Sequence, residues 1–204
     1  MTYPQFIWGL SNGVTVLVFA GLFWFGLGGA FSSNRAFFPW PAIFIIVAFS
    51  GLLFAAAQLR RKARGFGIAE LRHATDQQRA ETANIVRGFR LTNVGQAILI
   101  GMSFYLCSRF GRMELAWPFV GLIVSLHFLP LARIFRVRTY YLTAVMGSLV
   151  SLFAIGGFSG HRLMVVGLGM GVVLWASASY LVWTAERAAR YALGHPVSES
   201  TPAS

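Results

Sequence analysis

One cysteine, one lysine and six acidic residues are all that this chain of 204 residues holds of three common reactive types. Cys107, being alone, excludes an internal disulfide and any cysteine-based metal cluster. The acids are Glu70, Asp76, Glu81, Glu114, Glu186 and Glu199. All of them fall in gaps, tails or the ends of apolar segments, so no close carboxylate pair is offered for acid–base or metal chemistry. There is no Ser/His/Asp set, no HExxH motif and no Walker loop. Gly167-Leu168-Gly169-Met170-Gly171 lies inside an apolar segment with no strand before it, which excludes a nucleotide-binding loop. A haem held between helices wants a second histidine at membrane depth, and His73, His161 and His195 all lie outside the apolar segments. The expectation is a protein with no cofactor and no metal, with an enzyme the least favoured of the functions weighed below.

What the chain has is apolar length. With 56% hydrophobic and 11% charged residues, a water-soluble fold would need a core too large for its surface to cover. The short alternating segments of an outer-membrane barrel are absent. Crossing a hydrocarbon layer of about 30 Å takes about 20 mainly apolar residues in a helix. Six segments approach that length: Ile7–Leu27, Trp40–Leu59, Leu91–Leu106, Leu115–Leu131, Tyr140–Ile155 and Leu163–Trp183. The fold class expected is all-α: a polytopic membrane protein of six transmembrane helices in a single domain over 1–191. Met1–Phe6 has no Lys or Arg and the run after it is too long for a secretory signal, so the first segment is expected to be retained.

The basic residues orient the segments, because cytoplasmic loops carry the excess of Lys and Arg. Eight lie between segments two and three, three between four and five, and two in the tail, which makes thirteen on one side. Arg35, Arg109, Arg112 and Arg162 are the four on the other. Both termini are therefore expected in the cytoplasm. The net charge of +11 is spent on this asymmetry and on an anionic inner leaflet, not on nucleic acid. Of the gaps, only the basic loop 60–90 is long enough to hold structure. Thr75 followed by Gln78, with Asp76 between them, fits a helix start that runs on into segment three. Residues 192–204, rich in Ser, Thr and Pro, are expected to be a disordered tail. Six segments also invite an inverted repeat of three and three, although the halves share no phrase that aligns.

Few residues at membrane depth can do chemistry. On segment three, Asn93, Gln96, Ser103 and Cys107 fall within roughly 80° of one another on a helical wheel. Such a face avoids lipid: it either lines a polar cavity or hydrogen-bonds a neighbouring helix. His127 is the one ionisable side chain well inside a segment, a candidate for proton or ligand binding, with Pro130 freeing backbone acceptors nearby. Glu114 is a weaker candidate, expected to cap a helix start and to pair with Arg112 or Arg109. Arg90 and Arg133 are weaker still, since the charge asymmetry already accounts for them. Small residues at helix-packing spacing, such as Gly9/Gly13, Thr143/Gly147/Ser151, Gly156/Gly160 and Gly167/Gly171, mark close-contact faces within the bundle, between copies or with a membrane-protein partner.

Asn93-Val94-Gly95-Gln96 and Leu126-His127-Phe128-Leu129-Pro130-Leu131-Ala132-Arg133, within the region from about 93 to 141, resemble a family of small uncharacterised bacterial multi-span membrane proteins. The resemblance implies architecture and a bacterial cytoplasmic (inner) membrane location, with no activity to transfer. Three functions are weighed on the residues. The first is a small proton-linked or solute transporter using His127, Asn93 and Gln96. The second is a structural or regulatory subunit of another membrane protein. The third is a membrane enzyme acting on a lipid-like substrate.

Overall fold

The computed structural model describes residues 3–30, 39–67, 76–157 and 160–194. These residues form six α-helices: α1 (Tyr3–Ala30), α2 (Pro39–Gly67), α3 (Asp76–Arg109), α4 (Ala116–Phe135), α5 (Thr139–Gly157) and α6 (Arg162–Gly194). A 3-10 turn, Met113–Leu115, leads into α4. Each of the six apolar segments lies within one helix, the fourth including the last residue of that turn. Pro39 opens α2, where its missing N–H costs nothing. Asp76 opens α3 at the positive end of the helix dipole, and α3 runs unbroken from the polar loop into the apolar segment, as its composition leads one to expect. Thr75, the expected cap, and residues 195–204 of the tail lie outside the described residues, while α6 itself continues to Gly194.

The α3–α4 connection is closed by Gly111, at φ +67°. The Arg112 N–H reaches back to the Cys107 carbonyl at 2.8 Å, and the Gly111 N–H to that of Ser108 at 3.2 Å. Glycine is suited here because a left-handed residue ends a helix without a Cβ clash.

The centre of the molecule is α6 against α1. Gly28 and Gly167 let the two backbones touch: a Cβ on Gly28 would lie 2.8 Å from the Leu168 amide nitrogen. One turn along, Gly171 faces the Phe25 ring and Gly21 faces Trp175. The Trp175 indole stacks edge-on with Phe25 at 4.7 Å and donates its N–H to the Val18 carbonyl at 3.0 Å. On the other side of α6 lie α5 and then α4, and α2 rests on α1 and α6. The junction of α4, α5 and α6 is built from hydroxyls and a thioether. Ser125 Oγ donates to the Gly121 carbonyl at 2.7 Å and lies 3.5 Å from the Met170 sulfur; Ser151 Oγ donates to the Gly147 carbonyl at 2.9 Å. Thr143 and Ser177 share a 2.7 Å hydrogen bond between α5 and α6. All four hydroxyl residues are buried, each within reach of a carbonyl of its own helix; of Thr143 and Ser177, one donates across to the other while the second donates to its own carbonyl, and the small size of all four permits close approach.

Outward faces are apolar. Leu142, Val145, Leu149, Leu152 and Phe153 on α5 are exposed, as are Leu91, Val94, Ile98 and Tyr105 on α3. Water does not tolerate such contiguous apolar surface, whereas lipid does. Four helices are long and apolar enough to cross a membrane: Ala83–Arg109, Met113–Phe135, Thr139–Gly157 and Arg162–Arg187. The described parts of α1 and α2 add the shorter apolar stretches Gly13–Gly29 and Ile45–Leu59. The outlier in packing is α3. Only 6% of its apolar stretch is buried, against 50% for α6, because it lies at the edge and packs on α4 and the turn before it.

Candidate functional site

The α3–α4 seam collects most of the candidate residues. Its antiparallel register is fixed by three contacts: Phe104 on Trp117 (ring centroids 5.4 Å apart), Gly88 against Ile134, and Phe89 on Phe135 (5.9 Å). Ile85, Gly88, Thr92, Gln96, Ile100, Ser103 and Cys107, each at least half covered, recur at helical spacing with the half-covered Asn93, Gly95 and Phe104 flanking them, and this face looks toward α4. The polar stripe seen in the sequence therefore points inward, into the seam, as its desolvation cost demands.

His127 meets it from the other side. It is half-buried on α4, and its imidazole lies against the Thr92 backbone. Thr92 Oγ1 is itself bound to the Gly88 carbonyl at 2.8 Å. Asn93 is the next residue along α3, and Gln96 lies one turn further, by the same register level with Val124 and Ser125 of α4. Both carboxamides are half-buried, and neither has a hydrogen-bond partner among the described residues. Gln96 is the middle residue of the 27-residue stretch Ala83–Arg109. His127 is three residues from the middle of Met113–Phe135, or about 4.5 Å of helix rise. Three polar groups thus sit together near mid-length of two apolar helices.

Aromatic pairs flank the patch at both ends of the seam. Toward the α3–α4 turn, about 12 Å from Gln96 along the helix, Phe104 stacks on Trp117, which also touches Phe23 and Trp24 of α1. Toward the other end, about 10 Å away, Phe89 stacks on Phe135. The bundle edge beside the patch is exposed, since α3 is the least buried of the four membrane-length helices.

The remaining candidates lie apart. Ser103, about 10 Å from Gln96 along α3, gives its hydroxyl to the Ile100 carbonyl at 2.9 Å. Cys107 is buried further along the same face. Glu114 stands in the turn before α4, and its partner is neither Arg112 nor Arg109 but Arg162, the first residue of α6, at 3.6 Å. That pair ties the α3–α4 turn to the start of α6, a tertiary contact that sequence spacing does not reveal. Arg90 and Arg133 are exposed at the opposite end of the seam. Of the small-residue spacings, Thr143/Gly147/Ser151 and Gly167/Gly171 are spent inside the bundle, whereas Gly156 and Gly160 face open space. Sequence reasoning missed the aromatic pairs, because aromatics at helical spacing carry no sign of which neighbour they meet.

The fold and its outward faces define a class: an all-α, membrane-embedded protein. Residues 85–184 match the model of DUF7010, a family of unknown function, so the stretch from α3 to most of α6, both walls of the seam included, is similar to that family. No curated protein and no solved structure matches the chain.

Proposed function

We propose that this is a six-span protein of the bacterial inner membrane, with both termini in the cytoplasm, that serves as a structural or regulatory partner of another membrane protein and engages it laterally through the α3–α4 seam. The observation that carries this reading is the pair of unpartnered carboxamides, Asn93 and Gln96, beside His127 near mid-membrane. In hydrocarbon, an amide without a partner is costly, and a passing helix with its own polar side chain satisfies it. The flanking aromatic pairs and the exposed edge support a lateral occupant over one arriving from water. Supporting this further, the exposed faces described on α5 are wholly apolar, whereas the least buried of the four membrane-length helices, α3, carries the carboxamides. The test is mild-detergent purification of the wild type, Gln96→Leu and Leu149→Ala. A companion recovered with wild type and Leu149→Ala but lost from Gln96→Leu is the expected result; the same recovery from all three contradicts the reading.

His127 itself favours a second reading, a small proton-linked or solute transporter, since ionisable groups at this depth commonly serve relays. In that case the seam opens to water in another conformation. Proteoliposome flux of protons or small polar solutes then falls in His127→Ala and Gln96→Leu variants that fold normally; equal flux removes this role.

A further inference from the structure

The turn that carries α4 into α5 is three residues long, Arg136-Val137-Arg138, and an arginine shapes it in an unfavourable conformation. Arg136 has φ 55° and ψ 34°, in the left-handed region. Among the described residues it is the one non-glycine with positive φ. Helices often stop this way, but glycine or asparagine normally occupies the position because a Cβ there crowds the backbone. The rest of the stop is ordinary: the Val137 N–H donates to the Ala132 carbonyl at 3.2 Å, and Val137 packs against the core. With Val137 turned inward, Arg136 and Arg138 are exposed. Arg133, one turn back on α4, is exposed as well, and the Phe89–Phe135 contact brings the exposed Arg87 and Arg90 of α3 to the same end. The ion pair found among the described residues is at the opposite end, between Arg162 and Glu114, and none of these five arginines has an acidic partner among the described residues.

A charge asymmetry between loops calls for basic residues anywhere in the turn. It does not call for an arginine at the one position where glycine would relieve the backbone. We propose that the α4–α5 turn is a binding site for the phosphate of anionic phospholipid headgroups, with Arg136 and Arg138 as its principal contacts and Arg133 beside them. Guanidinium groups match phosphate oxygens in a two-pronged fashion. The turn joins the ends of two membrane-length helices, with the exposed Tyr141 one turn into α5, which puts it at headgroup level and favours a lipid phosphate over a soluble one. This site lies apart from the polar patch of the seam and depends only on the chain being embedded in a bilayer.

The test uses the full chain in mild detergent, with bound molecules counted by native mass spectrometry during titration with phosphatidylglycerol, phosphatidylcholine of equal chain length, or inorganic phosphate. The wild type is expected to prefer phosphatidylglycerol. Arg136→Gly lowers that affinity about fivefold, and Arg136→Gly with Arg138→Gln about 25-fold, from the usual worth of one basic residue near an anionic surface. Arg112→Gln, at the other membrane end, changes nothing. Arg136→Gly also raises the thermal midpoint, which separates lost binding from lost folding, and Arg138→Gln alone tests the charge without touching the strained residue. Equal phosphatidylglycerol binding by wild type and the double variant overturns the proposal, as does inorganic phosphate binding as tightly as the lipid.

Discussion

Gly28 has backbone where a side chain would go, and Gly51 has nothing within 4 Å; this contrast separates structural glycines from incidental ones. A methyl on Gly28 would press on the Gly167–Leu168 backbone, which cannot rotate aside, so Gly28→Ala is expected to destabilise by about 1–3 kcal/mol. Gly51→Ala, on an exposed stretch of α2, is expected to stabilise by about 0.5–1 kcal/mol, because alanine loses less backbone entropy in a helix. Thermal unfolding in detergent checks both signs. Neither is legible in the sequence, where both glycines are simply small residues in apolar runs. The same holds for Arg136: its neighbours Phe135 and Val137 announce no left-handed residue, and only the completed turn shows one. Such a conformation costs about 1–2 kcal/mol for an ordinary side chain.

At the level of elements, α3 is the helix least bound to its own molecule, and its stability is separable from its polar face. Because Gln96 has no hydrogen-bond partner among the described residues, Gln96→Leu is expected to raise the thermal midpoint while abolishing the association proposed for the seam. Residues kept at a cost in stability commonly serve function. A fall in the midpoint would mean that the amide has a partner within the chain. The Glu114–Arg162 pair is expected to matter less: Glu114→Gln should cost below about 1 kcal/mol, because the Glu114 side chain is 48% exposed and screened. Denaturation of the variant reads that value. The polar stripe on α3 was legible because helical periodicity is a local property, and so was the isolation of His127. That His127 faces Thr92, or that Glu114 selects Arg162 over two nearer arginines, depends on how α3, α4 and α6 are set against one another, which no local spacing encodes.

For the whole molecule, hydropathy placed an apolar segment in each of the six helices, since length and apolar content are what a bilayer selects. It did not give the neighbour order, in which α1 lies against α6 and α3 is left at the margin; that order follows from matched glycines and aromatics such as Gly28 with Gly167 and Gly21 with Trp175. The margin of α3 is the proposed contact surface, and site-specific photocross-linking in native membranes probes it without removing the protein from its lipid. A photoreactive residue at position 99, an exposed leucine of α3 three residues from Gln96, is compared with one at position 149, on the exposed apolar face of α5. A discrete protein adduct is expected from position 99 and lipid adducts alone from position 149. Lipid adducts alone from both positions would contradict that expectation.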